Sequence, residues 1–263
     1  MHQFILAKKY LVFWFKAKGK KGFGIHSPFL FSLLTTVIHQ RKKNAGFAVI
    51  ENERKKWKAD RRTIQVEELG SGSQKTNLLN RKVSDIARIS LKSVGQAQLL
   101  FRMAEHFQCK TILELGTSLG ITTSYLASTL QKSRVITIEG SPETARLARQ
   151  TFSHLNLDSI ELHEGNFDHE LPLVLANIQQ LDFVFFDGNH RKEATLSYFE
   201  QCLPLATSQS LFVFDDIHRS DEMEEAWDTI IQHEKVTLSL DLFHLGIVFF
   251  RKELSKEHFS LRF

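Results

Sequence analysis

Cysteine is scarce in this sequence, since only Cys109 and Cys202 occur among its 263 residues. The two lie far apart in helical or helix-end contexts, so we expect no disulfide framework and a reducing cytoplasm as the compartment. Long apolar runs are also missing, and no stretch approaches the roughly 20 residues that cross a bilayer. No small-residue cleavage site follows the apolar N-terminal stretch, so we expect no signal peptide.

One common nucleotide-binding motif is absent as well. The segment Leu69–Asn77 contains Gly-Ser-Gly, but no apolar strand precedes it and it has no Gly-Lys-Ser or Gly-Lys-Thr, which excludes a P-loop. We interpret this segment as a linker. Internal repeats and low-complexity tracts are also missing. The length and the 42% hydrophobic content suffice for one α/β domain plus an appendage.

What is present is a glycine-framed turn between an apolar strand and a helix, in residues 111–126. Gly116 and Gly120 bracket the turn, and Thr122–Leu130 has helical spacing. Glycines let a ligand approach the backbone closely, and such units hold nucleotides in open α/β sheets. The spacing Glu-x-Gly-x-x-x-Gly lacks the third glycine of the dinucleotide fingerprint, which argues against a nicotinamide-dependent oxidoreductase.

Four further apolar segments follow, and each ends in polar residues. They are Val135–Gly140, Ser159–Phe167, Leu181–His190 and Ser210–His218. Amphipathic segments of helical length separate them, which predicts βαβ units around a parallel sheet. Ser141 and Pro142 are expected to start the helix after the second strand. Glu139, at the tip of that strand, is placed to accept hydrogen bonds from a ribose diol.

Charge is distributed unevenly within a net charge of +4. Residues 1–62 contain 15 basic and 3 acidic side chains, a net of +12, while the remainder contains 19 and 27, a net of −8. Within Phe4–Lys21, aromatic and aliphatic residues alternate with lysines. Three interpretations stay open: a helix packed on the rest of the protein with its lysines in solvent, a helix on an anionic membrane surface, or a nucleic-acid contact.

The ordered series ELGTSLG, TIEG, EGNF, FVFFDGNH and FVFDDIH resembles the class I S-adenosylmethionine-dependent methyltransferases. It is most similar to the small-molecule (catechol-type) O-methyltransferase branch and its relatives with DGxH and DD motifs. The resemblance covers about residues 85–252 and implies an α/β, Rossmann-like sheet of seven strands, the last antiparallel, with helices on both faces. The tail Val236–Glu253 fits that ending. We therefore predict a methyltransferase domain at 85–263, preceded by a basic, mostly helical extension or lid at 1–84.

The resemblance implies S-adenosylmethionine as the cofactor. The expected cofactor-binding residues lie on the glycine turn and at the strand ends: Glu114, Gly116, Thr117, Ser118, Gly120, Glu139, Gly140, Asn166 and Asp187. Glu114 has the alternative role of a structural acid that braces the glycine turn, and Glu139 that of a strand-end cap. Related enzymes often cover the site with the segment before the first strand, which places Ser90 and Lys92 near the ligand.

Three carboxylates at two strand tips, Asp187, Asp215 and Asp216, form a hard-oxygen set suited to Mg²⁺, Mn²⁺ or Ca²⁺. The catechol-type enzymes bind a metal there with an acid and an Asp-Asn pair, so the Asp-Asp pair here departs from their pattern. Helix capping is the alternative role of these acids. Those enzymes also use a lysine base where this chain has His190, and a histidine is a competent base. His190, with Asp187, is therefore a candidate catalytic residue, as is His218, although a surface-loop role for His190 stays open.

The reaction implied by the resemblance is an in-line transfer of a methyl group from the sulfonium to an acceptor oxygen. The protein would align the reactants, and a base or metal would activate the acceptor hydroxyl. The three acids favour a hydroxylated small molecule over a polyanion, so nucleic acid is not the expected partner. A homodimer is compatible with the sequence. The alternatives are a non-catalytic binding or anchoring protein that retains this fold, and a nicotinamide-dependent oxidoreductase.

Overall fold

The computed structural model of the protein describes residues 2–17, 27–40, 46–68, 77–129 and 132–263. Its helices are α1 His2–Lys16, α2 Pro28–Leu33, α3 Phe47–Ala59, α4 Val83–Ile89, α5 Val94–His106, α6 Ile121–Ala127, α7 Pro142–His154, α8 Phe167–Leu175, α9 Lys192–Cys202 and α10 Asp221–Gln232. Its strands are β1 Thr63–Glu68, β2 Asn77–Lys82, β3 Thr111–Leu115, β4 Arg134–Glu139, β5 Ile160–Glu164, β6 Leu181–Phe186, β7 Ala206–Asp215, β8 Leu238–Asp241, β9 Leu245–Phe249 and β10 Glu257–Ser260. Among these residues, no helix is both long enough and apolar enough to cross a membrane.

The chain forms two compact units. The terminal unit consists of residues 1–41 and 180–263, and the central unit consists of residues 42–179. The predicted domains, 1–84 and 85–263, stay a prediction. The predicted linker Leu69–Asn77 lies outside the described residues except for Asn77, as does Leu130 at the predicted end of the helix after the glycine turn.

In the central unit, β3, β4 and β5 form a parallel sheet in that order. Every residue from Ile112 to Leu115 is buried, including Glu114, which agrees with a strand covered on both faces. Helix α7 begins as predicted, with Pro142 in its first turn and the Ser141 hydroxyl accepting the Thr144 N–H at 3.5 Å. The strand–turn–helix order predicted from residues 111–154 is confirmed.

The antiparallel hairpin formed by β1 and β2 was not expected in a mostly helical extension. Thr63 pairs with Lys82 and Glu68 pairs with Asn77. The sequence of β1 alternates polar and apolar residues, which is the period of a half-buried strand. Ile64 is buried, and Val66 packs against the same apolar cluster. Burial of this alternate set explains why a strand forms inside a segment that is otherwise helical.

In the terminal unit the strand order is β10, β8, β9, β7, β6. β6 and β7 are parallel, whereas β9 is antiparallel to both of its neighbours. The predicted α/β fold is confirmed, and β9 is the antiparallel strand that was expected near the end of the sheet. The described residues contain eight strands besides β1 and β2, whereas seven were predicted. The additional strand is β10, which pairs in parallel with β8.

Phenylalanine fills the interior of the terminal unit. Phe183, Phe185, Phe212 and Phe214 on β6 and β7 are at most 1% exposed. The rings of Phe186 and Phe214 stack with centroids 4.5 Å apart. Because β6 and β7 are parallel neighbours with Phe186 opposite Phe214, the residues that follow them, Asp187 and Asp215, come out at the same edge.

Candidate functional site

The glycine turn, Gly116–Gly120, connects β3 to α6 through left-handed backbone conformations. The φ angles are 103° at Gly116, 50° at Ser118 and 75° at Gly120. A Cβ atom on Gly120 would lie 2.6 Å from the Phe152 ring and 3.4 Å from the Ala148 Cα. Both the conformation and the close packing therefore require glycine at position 120.

Glu139 connects the glycine turn to the start of α7. One carboxylate oxygen accepts the Ser118 N–H at 2.8 Å, and the other accepts the Ser141 N–H at 3.0 Å. Burial raises the pKa of Glu139 to about 7, although the backbone hydrogen bonds from Ser141, Ser118 and Gly140 act to lower it. This carboxylate therefore caps its strand end, as the alternative interpretation proposed, and it also lies against the turn where the cofactor is predicted.

Glu114 is completely buried at the base of the same turn. Its Oε2 accepts hydrogen bonds from the hydroxyls of Thr123 and Thr137. Among the described residues, its Oε1 has no hydrogen-bond partner. Burial raises its pKa to about 7. These two hydrogen bonds fit the alternative role of an acid that braces the turn. A buried polar oxygen without a partner is rare in proteins and calls for an explanation.

Other predicted residues gather at the same place. The Ser118 and Ser90 hydroxyl oxygens are 2.6 Å apart, so the segment after α4 reaches the glycine turn. The Thr117 hydroxyl lies 2.6 Å from that of Thr137. Asn166 uses its side chain to cap α8 by accepting the Asp168 N–H at 2.9 Å. The preceding residue, Gly165, donates its N–H to the Glu139 carbonyl.

A second group of functional side chains lies within the terminal unit. Asp187, His190 and Asp215 each offer a ligand atom, and these atoms lie within 4.8 Å of one another. We call this group the acid–histidine cluster. Asp215 is 1% exposed, and the His190 Nε2 lies 3.9 Å from the Asp187 Oδ1. Asn189 has a φ of 51°, and the turn it forms places His190 beside Asp187.

Asp216 differs from its neighbour Asp215. Its backbone has a φ of 54°, its N–H donates to the His244 carbonyl at 2.8 Å, and its Oδ2 accepts a hydrogen bond from Arg219 at 3.2 Å. The group of atoms within 4.8 Å contains His190 and not Asp216. The role of Asp216 as a metal ligand therefore stays a prediction. The Arg219 guanidinium already binds its carboxylate and would compete with a metal ion.

His218 lies between two carboxylates of the terminal unit. Its Nδ1 is 2.9 Å from the Glu224 Oε1, its Nε2 is 2.9 Å from the Asp241 Oδ2, and its ring stacks on Phe243. Burial lowers the pKa of His218, but Asp241 and Glu224 outweigh that effect and raise it. Because both ring nitrogens face carboxylate oxygens, this environment favours the protonated ring and directs no lone pair at a substrate. This geometry favours a positioning role over the predicted role as a base.

Sequence reasoning did not identify several residues of these sites. Thr123 and Thr137 hold Glu114, and Glu224 and Asp241 hold His218. Their hydroxyl and carboxylate side chains carry no local motif, and only the fold brings them to their partners. His190, by contrast, was predicted as a base from its position three residues after Asp187. The same spacing also allows His190 and Asp187 to bind one metal ion together.

A model of a family described as a methyltransferase domain matches residues 113–217. The chain is also similar to a catechol O-methyltransferase from Niastella koreensis, with 32% identity over 134 residues. That match covers 50% of this chain and 60% of the relative. The chain thus spans about three fifths of the length of the curated relatives that it matches.

Solved structures show the same fold. An O-methyltransferase from Bacillus cereus in complex with SAH matches 61% of this chain and 83% of its own, with a TM-score of 0.54 and 23% identity. The SAH-bound methyltransferase PaMTH1 from Podospora anserina matches 81% of this chain and 91% of its own, with a TM-score of 0.60 and 15% identity. The predicted methyltransferase resemblance is confirmed for the domain matched at residues 113–217, and the solved structures, at 23% and 15% identity, confirm the fold.

Proposed function

We propose that this protein, which matches a methyltransferase domain over residues 113–217, transfers a methyl group from S-adenosylmethionine to an oxygen of a small acceptor molecule. The observation that carries this proposal is the glycine turn with two acids beside it, Glu114 and Glu139, whose pKa values are both raised. The similarity to a catechol O-methyltransferase supports the choice of oxygen as the accepting atom.

The cofactor would be held by the central unit. The glycine turn, Gly116–Gly120, would hold the ligand, and Glu139 would accept hydrogen bonds from the ribose hydroxyls. The unpaired Oε1 of Glu114 is the acceptor for a cationic donor such as the ammonium group of the cofactor. When bound, S-adenosylmethionine supplies an electrophilic methyl group on its sulfonium sulfur.

The acid–histidine cluster would prepare the acceptor. A hydroxyl is a poor nucleophile until its proton is withdrawn, and His190 or Asp187 is the base that we assign to this step. Asp215 is buried beside them and stabilises the positive charge that His190 gains when it takes the proton. We propose a hydroxylated small molecule, of the catechol class named for the Niastella koreensis relative, as the acceptor.

The same cluster fits a divalent cation. Two carboxylates and an imidazole within 4.8 Å are donors that Mg²⁺ or Mn²⁺ accept, and Ca²⁺ would use the carboxylates alone. Asp187 and Asp215 would be two ligands, and the third would be either Asp216, as the resemblance implies, or His190, as the geometry favours. A bound cation would lower the pKa of the acceptor hydroxyl.

We propose the cytoplasm as the compartment, on the basis of the two buried thiols, Cys109 and Cys202. A homodimer and a peripheral membrane contact through the N-terminus stay proposals. No described feature favours the non-catalytic or the nicotinamide-dependent alternative.

The test has two parts. Calorimetry with S-adenosylhomocysteine should show binding by the full chain, and incubation with S-adenosylmethionine and a set of catechols should give the methylated product by mass spectrometry. The variant Glu143→Gln, at an exposed acid in the first turn of α7, is the matched control and should behave as the parent protein. Failure to bind S-adenosylhomocysteine would overturn the proposal, and binding without turnover of any acceptor would favour the non-catalytic alternative.

A further inference from the structure

Helix α1 packs against its own unit through one face. The ring of Tyr10 lies 4.9 Å from that of Phe243, and the ring of Phe13 lies 5.3 Å from it. The Lys9 ammonium is 3.0 Å from carboxylate oxygens of both Asp221 and Glu224. This inner face agrees with the interpretation of a helix packed on the rest of the protein.

The C-terminal segment fixes α1 from another side. The Arg262 guanidinium lies 4.0 Å from the centre of the Trp14 ring, and its Nε donates to the Trp14 carbonyl at 2.8 Å. The carbonyl of Arg262 in turn lies 3.0 Å from the His39 Nε2. The orientation of α1 about its own axis is therefore determined, and so is the set of side chains that points away from the unit.

The opposite face of α1 is apolar and exposed. Leu11, Val12 and Phe15 are 58%, 47% and 74% exposed. Residues four positions apart lie on the same side of a helix, so Leu11 and Phe15 form a stripe with Val12 beside it. Lys8 and Lys16 are also exposed and flank this stripe. Single exposed apolar residues are ordinary, but an exposed apolar stripe of this kind marks an interaction surface.

The segment that contains the stripe carries charge of a single sign. The first 50 residues contain nine lysines and arginines and no aspartate or glutamate, and Glu51 is the first acid. Within α1 itself the stripe is accompanied only by cations, and the nearby acids Asp221 and Glu224 are paired with Lys9 on the inner face. Such a stripe complements an anionic lipid surface, where alkyl and aromatic groups enter the headgroup region and lysines meet phosphates. A nucleic acid would be attracted by the lysines, but it would leave Leu11 and Val12 in water.

We propose that α1 is a surface anchor that binds anionic membranes through Leu11, Val12 and Phe15, with Lys8 and Lys16 on the headgroups. The helix lies in the plane of the interface and keeps Tyr10 and Phe13 packed on its own unit. This inference does not depend on the proposed methyl transfer, because it uses no residue of the glycine turn or of the acid–histidine cluster.

The test is cosedimentation of the full chain with vesicles of phosphatidylcholine alone and of phosphatidylcholine with phosphatidylserine. Binding is expected only to the anionic vesicles, and it should weaken at high salt because the headgroup attraction is screened. The double variant Leu11→Ser/Phe15→Ser should reduce binding by about tenfold or more. The matched control is Val49→Ser/Leu173→Ser, two residues that are 60% and 62% exposed in the central unit, and it should bind as the parent protein.

Tryptophan fluorescence gives a second readout. Trp14 is 42% exposed, whereas Trp57 and Trp227 are each 3% exposed, so a blue shift on binding should be lost in Trp14→Phe. An unchanged melting temperature shows that the double variant is folded. Equal binding to neutral vesicles, or equal binding by the double variant, would overturn the proposal. A concentration-dependent dimer that Leu11→Ser/Phe15→Ser abolishes, without vesicle binding, would assign the stripe to a second copy of the chain instead.

Discussion

The glycine turn and the acid–histidine cluster are organised in different ways. At the turn, both oxygens of Glu139 accept backbone N–H groups, and Glu114 is held by two threonine hydroxyls. In the cluster, the His190 and Asp187 atoms are 3.9 Å apart, which is longer than a hydrogen bond. The carboxylates beside the turn are thus held by hydrogen bonds, whereas the cluster brings ionisable groups within ligand distance of one another. We expect substitutions in the two regions to separate binding from chemistry.

The largest expected effect is a loss of turnover when a residue of the acid–histidine cluster is changed. Asp215→Asn keeps the size of the buried side chain and removes its charge, so turnover should fall about 100-fold while the affinity for S-adenosylhomocysteine stays within about twofold. Steady-state kinetics and calorimetry measure the two quantities. Asp182→Asn, at the opposite end of β6, is the control. A matching loss of cofactor affinity would show that the two regions do not act separately.

The next effect concerns the stability of the turn. Gly120→Ala places a Cβ 2.6 Å from Phe152 in a residue with a φ of 75°, so unfolding by urea should show a loss of about 2–3 kcal/mol. Gly95→Ala is the control, because a Cβ there meets only the Ser93 Oγ at 4.0 Å. That change should be neutral or slightly stabilising. Equal stabilities for the two variants would contradict the tight packing described for Gly120.

Glu139→Ala tests the ribose assignment. Removal of the carboxylate should weaken binding of S-adenosylhomocysteine by at least about tenfold, since charge-assisted hydrogen bonds to a ligand contribute roughly 1.5–3 kcal/mol. Calorimetry measures the change, and Glu139→Gln shows how much of it is due to charge. An affinity equal to that of the parent protein would leave Glu139 with the role of a strand-end cap alone.

The smallest expected effect is a pH dependence of cofactor binding. The pKa of Glu114 is raised to about 7, so this group is mostly protonated at pH 6 and ionised at pH 8. A cationic ligand group favours the ionised form. Affinity for S-adenosylmethionine should therefore rise by up to about tenfold between these pH values, with protons released on binding. Calorimetry in buffers of different ionisation enthalpy detects the protons. Because the pKa of Glu139 is also raised to about 7, Glu114→Gln should reduce the release, and Glu114→Gln/Glu139→Gln should abolish it. Release that persists in the double variant would assign the protons to another group.

Much of the central unit could be predicted from its sequence because its signals are local. The acid, the two glycines and the helix after them lie within a few residues, and Ser141 and Pro142 start α7 as expected. The hairpin was missed, although the alternation of Ile64 and Val66 carried a signal for it. Alternation over only six residues is a weak indication of a strand, and the segment belongs to the part predicted as a basic, mostly helical extension.

The terminal unit was harder to predict because its contacts are distant in sequence. His218 depends on Asp241, 23 residues away, and no motif links the two. Asp216 binds Arg219 and has a left-handed backbone conformation. An aspartate does not require that conformation, so the sequence could not predict it. Proximity of Asp187 and Asp215 was predictable, since it requires only two parallel neighbouring strands.

The long-range contacts of α1 also have a consequence for biosynthesis. Arg262 and Trp14 are separated by 248 positions, and Phe243 and Asp221 also follow α1 by more than 200 residues. At translation rates of about 5–20 residues per second, α1 emerges from the ribosome roughly 10–50 s before these partners exist. During that interval its apolar side chains have no native surface to pack on. We expect nascent chains to depend on chaperones, or on an early encounter with lipid, until the last residues are synthesised.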